Sequence, residues 1–328
     1  MNPNTYHRIM DWLSRHYSPY TLPNRQSIPV VVQRAHGVAL DDILEEVAGH
    51  AQSSDFALYD AQLLEYMRQQ GMHLYDGTTW RVLQAESTHL VVQRSGYFHG
   101  VATTASLKRE LLQVAQQMPI TEMAQLPLRA QLEQLIPMAQ QPFDGRGRSA
   151  TLGVSVLTIF ATAQGEVAVL MRRSAHTAAD PNQYHVLPSF TLEPKRGSLR
   201  QQVILEYVEE CWGVPEAQTT LDHPHAQTLT ALLENGSASL TYSGIVYSPL
   251  TTDFNVAACL RIHDPAIYDM LNRHPIGGWE VERLYRIPLH SPDALHQALP
   301  DDFERVGSPH GVGSFWLAIE QYGAHLLG

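Results

Sequence analysis

Residues 198–215, SLRQQVILEYVEECWGVP, constrain the fold more tightly than any other stretch of the chain. Ser198, with Gln201 three positions on, makes a capping box, and Gly213 and Pro215 stop the helix at its far end. Between those limits Leu199, Val203, Leu205, Tyr207, Val208 and Trp212 cover much of the helix surface. A helix that is apolar on most sides has to be buried against other elements. Its one polar stripe carries Glu206, Glu209 and Glu210, whose i, i+3 and i+4 spacing puts all three on one face. Aligned carboxylates repel one another unless water, basic side chains such as Lys195, Arg196 or Arg200, or a cation relieves them.

Strand signals surround this helix. VSVLTIFATAQGEVAVLMRRS (154–174) has two β-rich arms about the turn Ala163-Gln164-Gly165. YHVLPSFTLEP (184–194) follows, and further strands are expected around ALLENGSASLTYSGIVYS, FNVAACLRIH and WEVERLYRIPL, with a closing helix at SFWLAIEQYGAHL. The first half opens with an amphipathic helix, TYHRIMDWLSRHY, and a short strand, IPVVVQRA. Apolar spacing predicts helices over 40–51, 57–70, 106–118 and 128–138. MHLYDGTTWRVLQAES and THLVVQRSGYFHGV alternate as strands, with YDGTT expected as the hairpin turn. PFDGRGRS (142–149) has the proline and glycine content of a boundary, so the expected regions are an α/β region at 1–141 and a second domain at 150–328. That mixture of strands and helices gives an α+β fold: a mixed sheet flanked by helices, preceded by the smaller N-terminal region.

Composition excludes several classes. With 44% hydrophobic and 17% charged residues the chain reads as globular rather than disordered. Its net charge of −11 argues against a nucleic-acid partner, which calls for a positive footprint. Most of the excess acid falls in residues 150–328, and an acidic region suits either a solvated surface or collection of divalent cations. Two cysteines are too few for a disulfide framework or a zinc site, which points to a reducing compartment. The N-terminal residues lack an unbroken apolar core and VSVLTIF is too short to span a bilayer, so the expectation is a cytoplasmic chain with no membrane partner. The 17 histidines are scattered, and His223 and His225 flank a proline in an expected loop.

Strand, loop and acidic helix in this order resemble the Nudix hydrolase motif, GX5EX7REUXEEXGU, with U aliphatic. The REUXEE segment of that motif falls on Leu205, Glu206, Tyr207, Val208, Glu209 and Glu210, and its closing glycine and aliphatic residue on Gly213 and Val214, one residue late. The P-G-G-x-x-E segment is matched by Pro188-Ser189-Phe190-Thr191-Leu192-Glu193, and Arg172-Arg173 ends the preceding strand as in the family. Further stretches (HVLPSFTLEP, EYVEECWGVPE, SPHGVGSFWLAI and YDGTTWRVL) resemble bacterial Nudix-like proteins labelled transcriptional regulators. No convincing helix-turn-helix precedes them in residues 1–70.

The resemblance implies a Nudix-like mixed sheet and a nucleotide or nucleoside-diphosphate derivative as ligand, with Mg2+ or Mn2+ as cofactor. It would make Glu206, Glu209 and Glu210 metal ligands, Glu206 also the catalytic base, and Arg173 and Phe190 substrate contacts, with Glu280 or Glu282 as a further carboxylate. The departures are specific. Ser189 and Phe190 replace two glycines, Leu205 replaces the helix arginine, and Lys195-Arg196-Gly197 stands where the first glutamate belongs. They leave a second reading: a catalytically inactive module that senses a small ligand or contacts another protein, with Phe190 narrowing its cleft. A homodimer is compatible with either. Trp212, Trp279 and Trp316 read as core residues rather than base-stacking platforms.

Overall fold

Long apolar runs in the second half assemble one large mixed sheet. The computed structural model describes the chain apart from residues 1–2, 23–25, 36, 70–75, 176, 178–179, 274–279, 324–325 and 327–328. In chain order the strands are β1 (Tyr20–Thr21), β2 (Ser27–Ile28), β3 (Val31–Arg34), β4 (Leu44–His50), β5 (Thr78–Glu86), β6 (His89–Gly96) and β7 (Leu152–Thr162). They continue as β8 (Gly165–Arg173), β9 (Tyr184–Val186), β10 (Ser189–Thr191), β11 (Ala238–Ser248), β12 (Asp253–Ile262) and β13 (Val281–Pro288). The main sheet follows the path β13-β8-β7-β12-β11-β3, with β9 beside β8 and β10 beside β7. β7 and β12 pair in parallel, and the other pairs of this sheet are antiparallel.

Both faces of the sheet are covered, which is why β7 reads as a continuous apolar run rather than an alternation. Val154, Val156 and Phe160 face a core that includes Leu199, Val203, Tyr207 and Val208 of the acidic helix. Leu157 and Ile159 face the opposite core, built with Phe315, Trp316 and Ile319 of the closing helix Pro309–Tyr322. The expected α+β architecture is thus present, with the acidic helix packed on the sheet as its apolar faces require. Among the described residues no helix is long and apolar enough to cross a membrane.

The closing helix comes unusually near the sheet at Gly311. A Cβ added there would lie 2.9 Å from both the Cα and the Cγ of His185 in β9. Gly311→Ala is therefore expected to destabilise by about 1–3 kcal/mol through overpacking. Unfolding in urea measures this directly. Open space would instead give a gain of up to about 1 kcal/mol, the ordinary helix preference for alanine over glycine.

Four sequence expectations need correction. Residues 40–51 form a 3-10 turn, Leu40–Asp42, followed by β4 rather than a helix. Leu40, Ile43, Leu44 and Val47 fit helical spacing, but pairing of β4 with β6 overrides that local pattern. The β5–β6 hairpin turns at Ser87-Thr88, since Glu86 pairs with His89, and not at YDGTT, part of which lies outside the described residues. His223 and Pro224 begin a helix, Pro224–Glu234: the His223 side chain accepts from the His225 N–H, and proline suits the first turn. For the same reason ALLE belongs to that helix, and β11 starts only at Ala238.

The two halves share their packing. β3 forms an edge of the main sheet by pairing with β11. Arg129, in the helix Pro127–Leu135, donates to the carbonyl oxygens of Pro249 and Leu250 at 2.9 and 2.6 Å. Arg148, fully buried in the 142–149 segment, donates to Thr252 O at 2.7 Å. Both arginines grip the turn between β11 and β12.

Candidate functional site at the acidic helix

The helix begins as its sequence requires. Gln201 N donates to Ser198 Oγ at 3.3 Å, and Ser198 N donates to Gln201 Oε1 at 2.9 Å. An α-helix over Leu199–Glu206 then passes into a π-helical turn, Tyr207–Cys211. A π turn absorbs one residue more than an α turn. This accounts for the extra residue before Gly213, and it lets Glu206, Glu209 and Glu210 all line one cleft.

Glu206 and Glu210 are buried, and Glu209 is half-buried. Arg196, from the loop before the helix, donates through Nη1 to Glu206 Oε1 and holds Nη2 3.6 Å from Glu209 Oε2. Glu210 Oε2 accepts from the backbone N–H of Ser189 at 3.0 Å. Burial raises the Glu206 carboxyl to about 8, and the pull of Arg196 only partly offsets it. Burial likewise raises Glu209 to about 7, again against Arg196, and pushes Glu210 well above the usual carboxylate range.

The cleft, about 590 Å³, continues away from the helix toward both halves of the molecule. Lys108, on the helix Ser106–Gln117, pairs with Asp180 at 2.7 Å, and Asp180 also accepts from Ser308 Oγ at 2.6 Å. His310 Nε2 lies 3.1 Å from Asp253 Oδ1. His185 Nε2 is 3.2 Å from Ser189 Oγ, while its Nδ1 faces the carbonyl of Val186 at 3.1 Å. Burial, with Arg173 nearby, lowers the His185 imidazole to about 3, so the ring is neutral. Between these ends the wall carries Phe190 and Asn255. Asn255 is 6% exposed, and among the described residues its Oδ1 has no hydrogen-bond partner.

A divalent cation of the Mg2+ or Mn2+ kind binds several convergent oxygen ligands. Here the Arg196 guanidinium lies against Glu206 and Glu209, and one oxygen of Glu210 is held by Ser189. Among the described residues no three His, Cys, Asp or Glu side chains come together as a metal-binding group. In this arrangement the residues do not fit the ion.

Of the residues singled out in the sequence, Arg173, Phe190, Glu206, Glu209, Glu210 and Glu280 all line the cleft. Arg173 is paired with Glu280 at 2.9 Å. Glu282 pairs with Arg172 at 3.3 Å and is not among the lining residues. Trp212 stacks on His225, with ring centroids 3.9 Å apart, and Trp316 is buried in the core; Trp279 lies outside the described residues. Sequence reasoning missed Lys108, Asp180, Asp253, Asn255 and His310 as cleft residues. Asn255 left a signal, being the one amide in the otherwise apolar start of FNVAACLRIH.

No protein-family profile matches the chain, and no curated protein matches it in sequence. Among solved structures it is similar to a Nudix hydrolase from M. smegmatis, RenU, at 12% identity and a TM-score of 0.29, over 53% of this chain and 86% of that one. A protein from Deinococcus radiodurans gives 14% identity and a TM-score of 0.27, over 47% and 78% of the two chains. The Ap4A hydrolase of C. elegans gives 13% and 0.25, over 51% and 96%. Each likeness concerns about half of this chain and is one of general shape only.

Proposed function

We propose that this protein binds a small, planar, polar molecule of the nucleotide-like class in the cleft beside the acidic helix, without metal-dependent hydrolysis. The observation that carries the reading is Asn255, a residue of the cleft wall whose amide oxygen is buried and, among the described residues, has no hydrogen-bond partner. Leaving such an acceptor unsatisfied costs about 1–3 kcal/mol, which an N–H donor on a ligand recovers. Phe190 offers an apolar face beside it, and about 590 Å³ falls within the range of pockets that take drug-sized ligands. An exocyclic amine on a heteroaromatic ring meets both requirements. Lys108 brings the first half to the same wall, so occupancy would be felt by both halves of the chain.

Calorimetric titration of the full chain in EDTA with a panel of nucleosides and nucleoside diphosphate derivatives tests this. At least one is expected to bind, with affinity falling tenfold or more in Asn255→Leu. Equal affinity in that variant would remove Asn255 from the site. One observation favours hydrolysis instead: Glu209 Oε2 is buried and makes no hydrogen bond among the described residues, its pair with Arg196 Nη2 standing at 3.6 Å. Turnover of any panel member in Mn2+, lost in Glu209→Gln, would replace the binding reading with that one.

A further inference from the structure

The loop before the acidic helix is built to deliver one charge. Gln202, buried on the helix, accepts from Glu193 N at 2.9 Å through Oε1. Through Nε2 it donates to Glu193 O at 2.8 Å and to Gly197 O at 3.0 Å. Both ends of the 193–197 loop are thereby tied to a single side chain. Arg196 N donates to Glu193 O at 3.3 Å, completing a turn that aims the guanidinium at the helix. There it meets Glu206 and Glu209, with Glu193 and Glu216 also close enough to act on it electrostatically. The aligned carboxylates therefore have a cation, covalently part of the chain.

We infer that Arg196, positioned by Gln202, stands in for the divalent ion at this helix, so that the wild-type chain takes neither Mg2+ nor Mn2+ there. A guanidinium supplies what the carboxylates need for stability, which is a nearby positive charge with directed donors. It lacks what hydrolysis needs from a metal, since it cannot ligate a water and turn it into a nucleophile. An arginine in place of an ion accounts for three aligned glutamates in a site where, among the described residues, no metal-binding group comes together. It does not depend on the ligand proposed above: Mn2+ binding by the wild type would overturn it and leave the role of Asn255 untouched.

The test is Mn2+ binding by metal-stripped, full-length protein, read by calorimetry and by thermal melting. Wild type and Arg196→Lys are expected to show no saturable binding and no change in melting temperature. Arg196→Gln is expected to melt lower than wild type without metal and to rise by several degrees with saturating Mn2+. The double variant Arg196→Gln/Glu209→Gln should lose that rise. Saturable binding by the wild type at the Kd of Arg196→Gln would overturn the inference, as would an Arg196→Gln protein that folds and ignores Mn2+. Should Arg196→Gln fail to fold, Gln202→Ala frees the loop while keeping the charge. It is expected to show the saturable Mn2+ binding that the wild type lacks, and a folded Gln202→Ala protein that ignores Mn2+ would count against Arg196.

Discussion

Arg148→Met is expected to cost about 3 kcal/mol of stability or more, because it removes the donor from four carbonyls, two of them buried, at once. Arg148 is fully buried and donates to Thr252 O at 2.7 Å, Asp144 O at 3.0 Å, Arg146 O at 3.3 Å and Gln141 O at 3.2 Å. Its guanidinium also lies 6.0 Å from the ring centroids of Tyr247 and Phe254. Methionine keeps the stem only as far as the Nε position and provides no donor, so the loss combines the missing hydrogen bonds with the space the guanidinium leaves. Thr252 makes the site less forgiving still. It holds a φ of 58°, a left-handed conformation uncommon outside glycine, within the turn that Arg148 secures. Equilibrium unfolding in urea gives the value, and a loss below about 1 kcal/mol would mean that water or a shifted turn satisfies those carbonyls.

The second large effect is on the pH dependence of stability. Glu206, raised to about 8, and Glu209, raised to about 7, bind protons in the folded state that the unfolded chain has released. For raised groups the stabilisation is complete below the unfolded pKa, about 4.3, and is lost as pH climbs through the folded values. His185, lowered to about 3, acts in the opposite sense: its contribution is complete above about 6.5 and is lost as pH falls toward 3. Between pH 6.5 and 9 the glutamates therefore act without that opposition, and the protein should weaken as pH rises. Glu206→Gln fixes the neutral form. It should flatten this slope and leave the variant more stable than wild type at pH 9, by about 1.4 kcal/mol for every tenfold difference in proton affinity between the folded and unfolded chain. Denaturation of both proteins at pH 6.5 and 9 decides it, and parallel slopes would show that Glu206 ionises freely despite its burial.

The legible parts of the sequence were those fixed by neighbours in the chain. The cap at Ser198, the hairpin about Ala163-Gln164 and the acidic stripe depend on contacts a few residues apart, and each is found in place. The strand β4 was not legible, because Leu40, Ile43, Leu44 and Val47 satisfy a helical spacing as well as they fill a strand; only pairing with β6 decides. The far end of the cleft was hidden for a different reason. Lys108 meets Asp180 across 72 positions of sequence, and no local pattern encodes such a meeting. The role of Arg196 fell between these cases. Its charge was visible among three candidates beside the helix, but the choice among Lys195, Arg196 and Arg200 rests on the Gln202 side chain tying down the loop.

The pairing of β3 with β11 bears on how this chain can be handled as a material. β11 is buried over most of its length, and its outer edge is covered by only four residues, Val31–Arg34. A fragment beginning near residue 150 would present that edge bare, with its row of unpaired N–H and C=O groups along an apolar strand. Bare edges of this kind recruit other strands, from copies of the same fragment above all. Cutting the chain at its most loop-like stretch is thus expected to give a fragment that associates with its own copies along β11, an edge that the short strand β3 shields in the full chain.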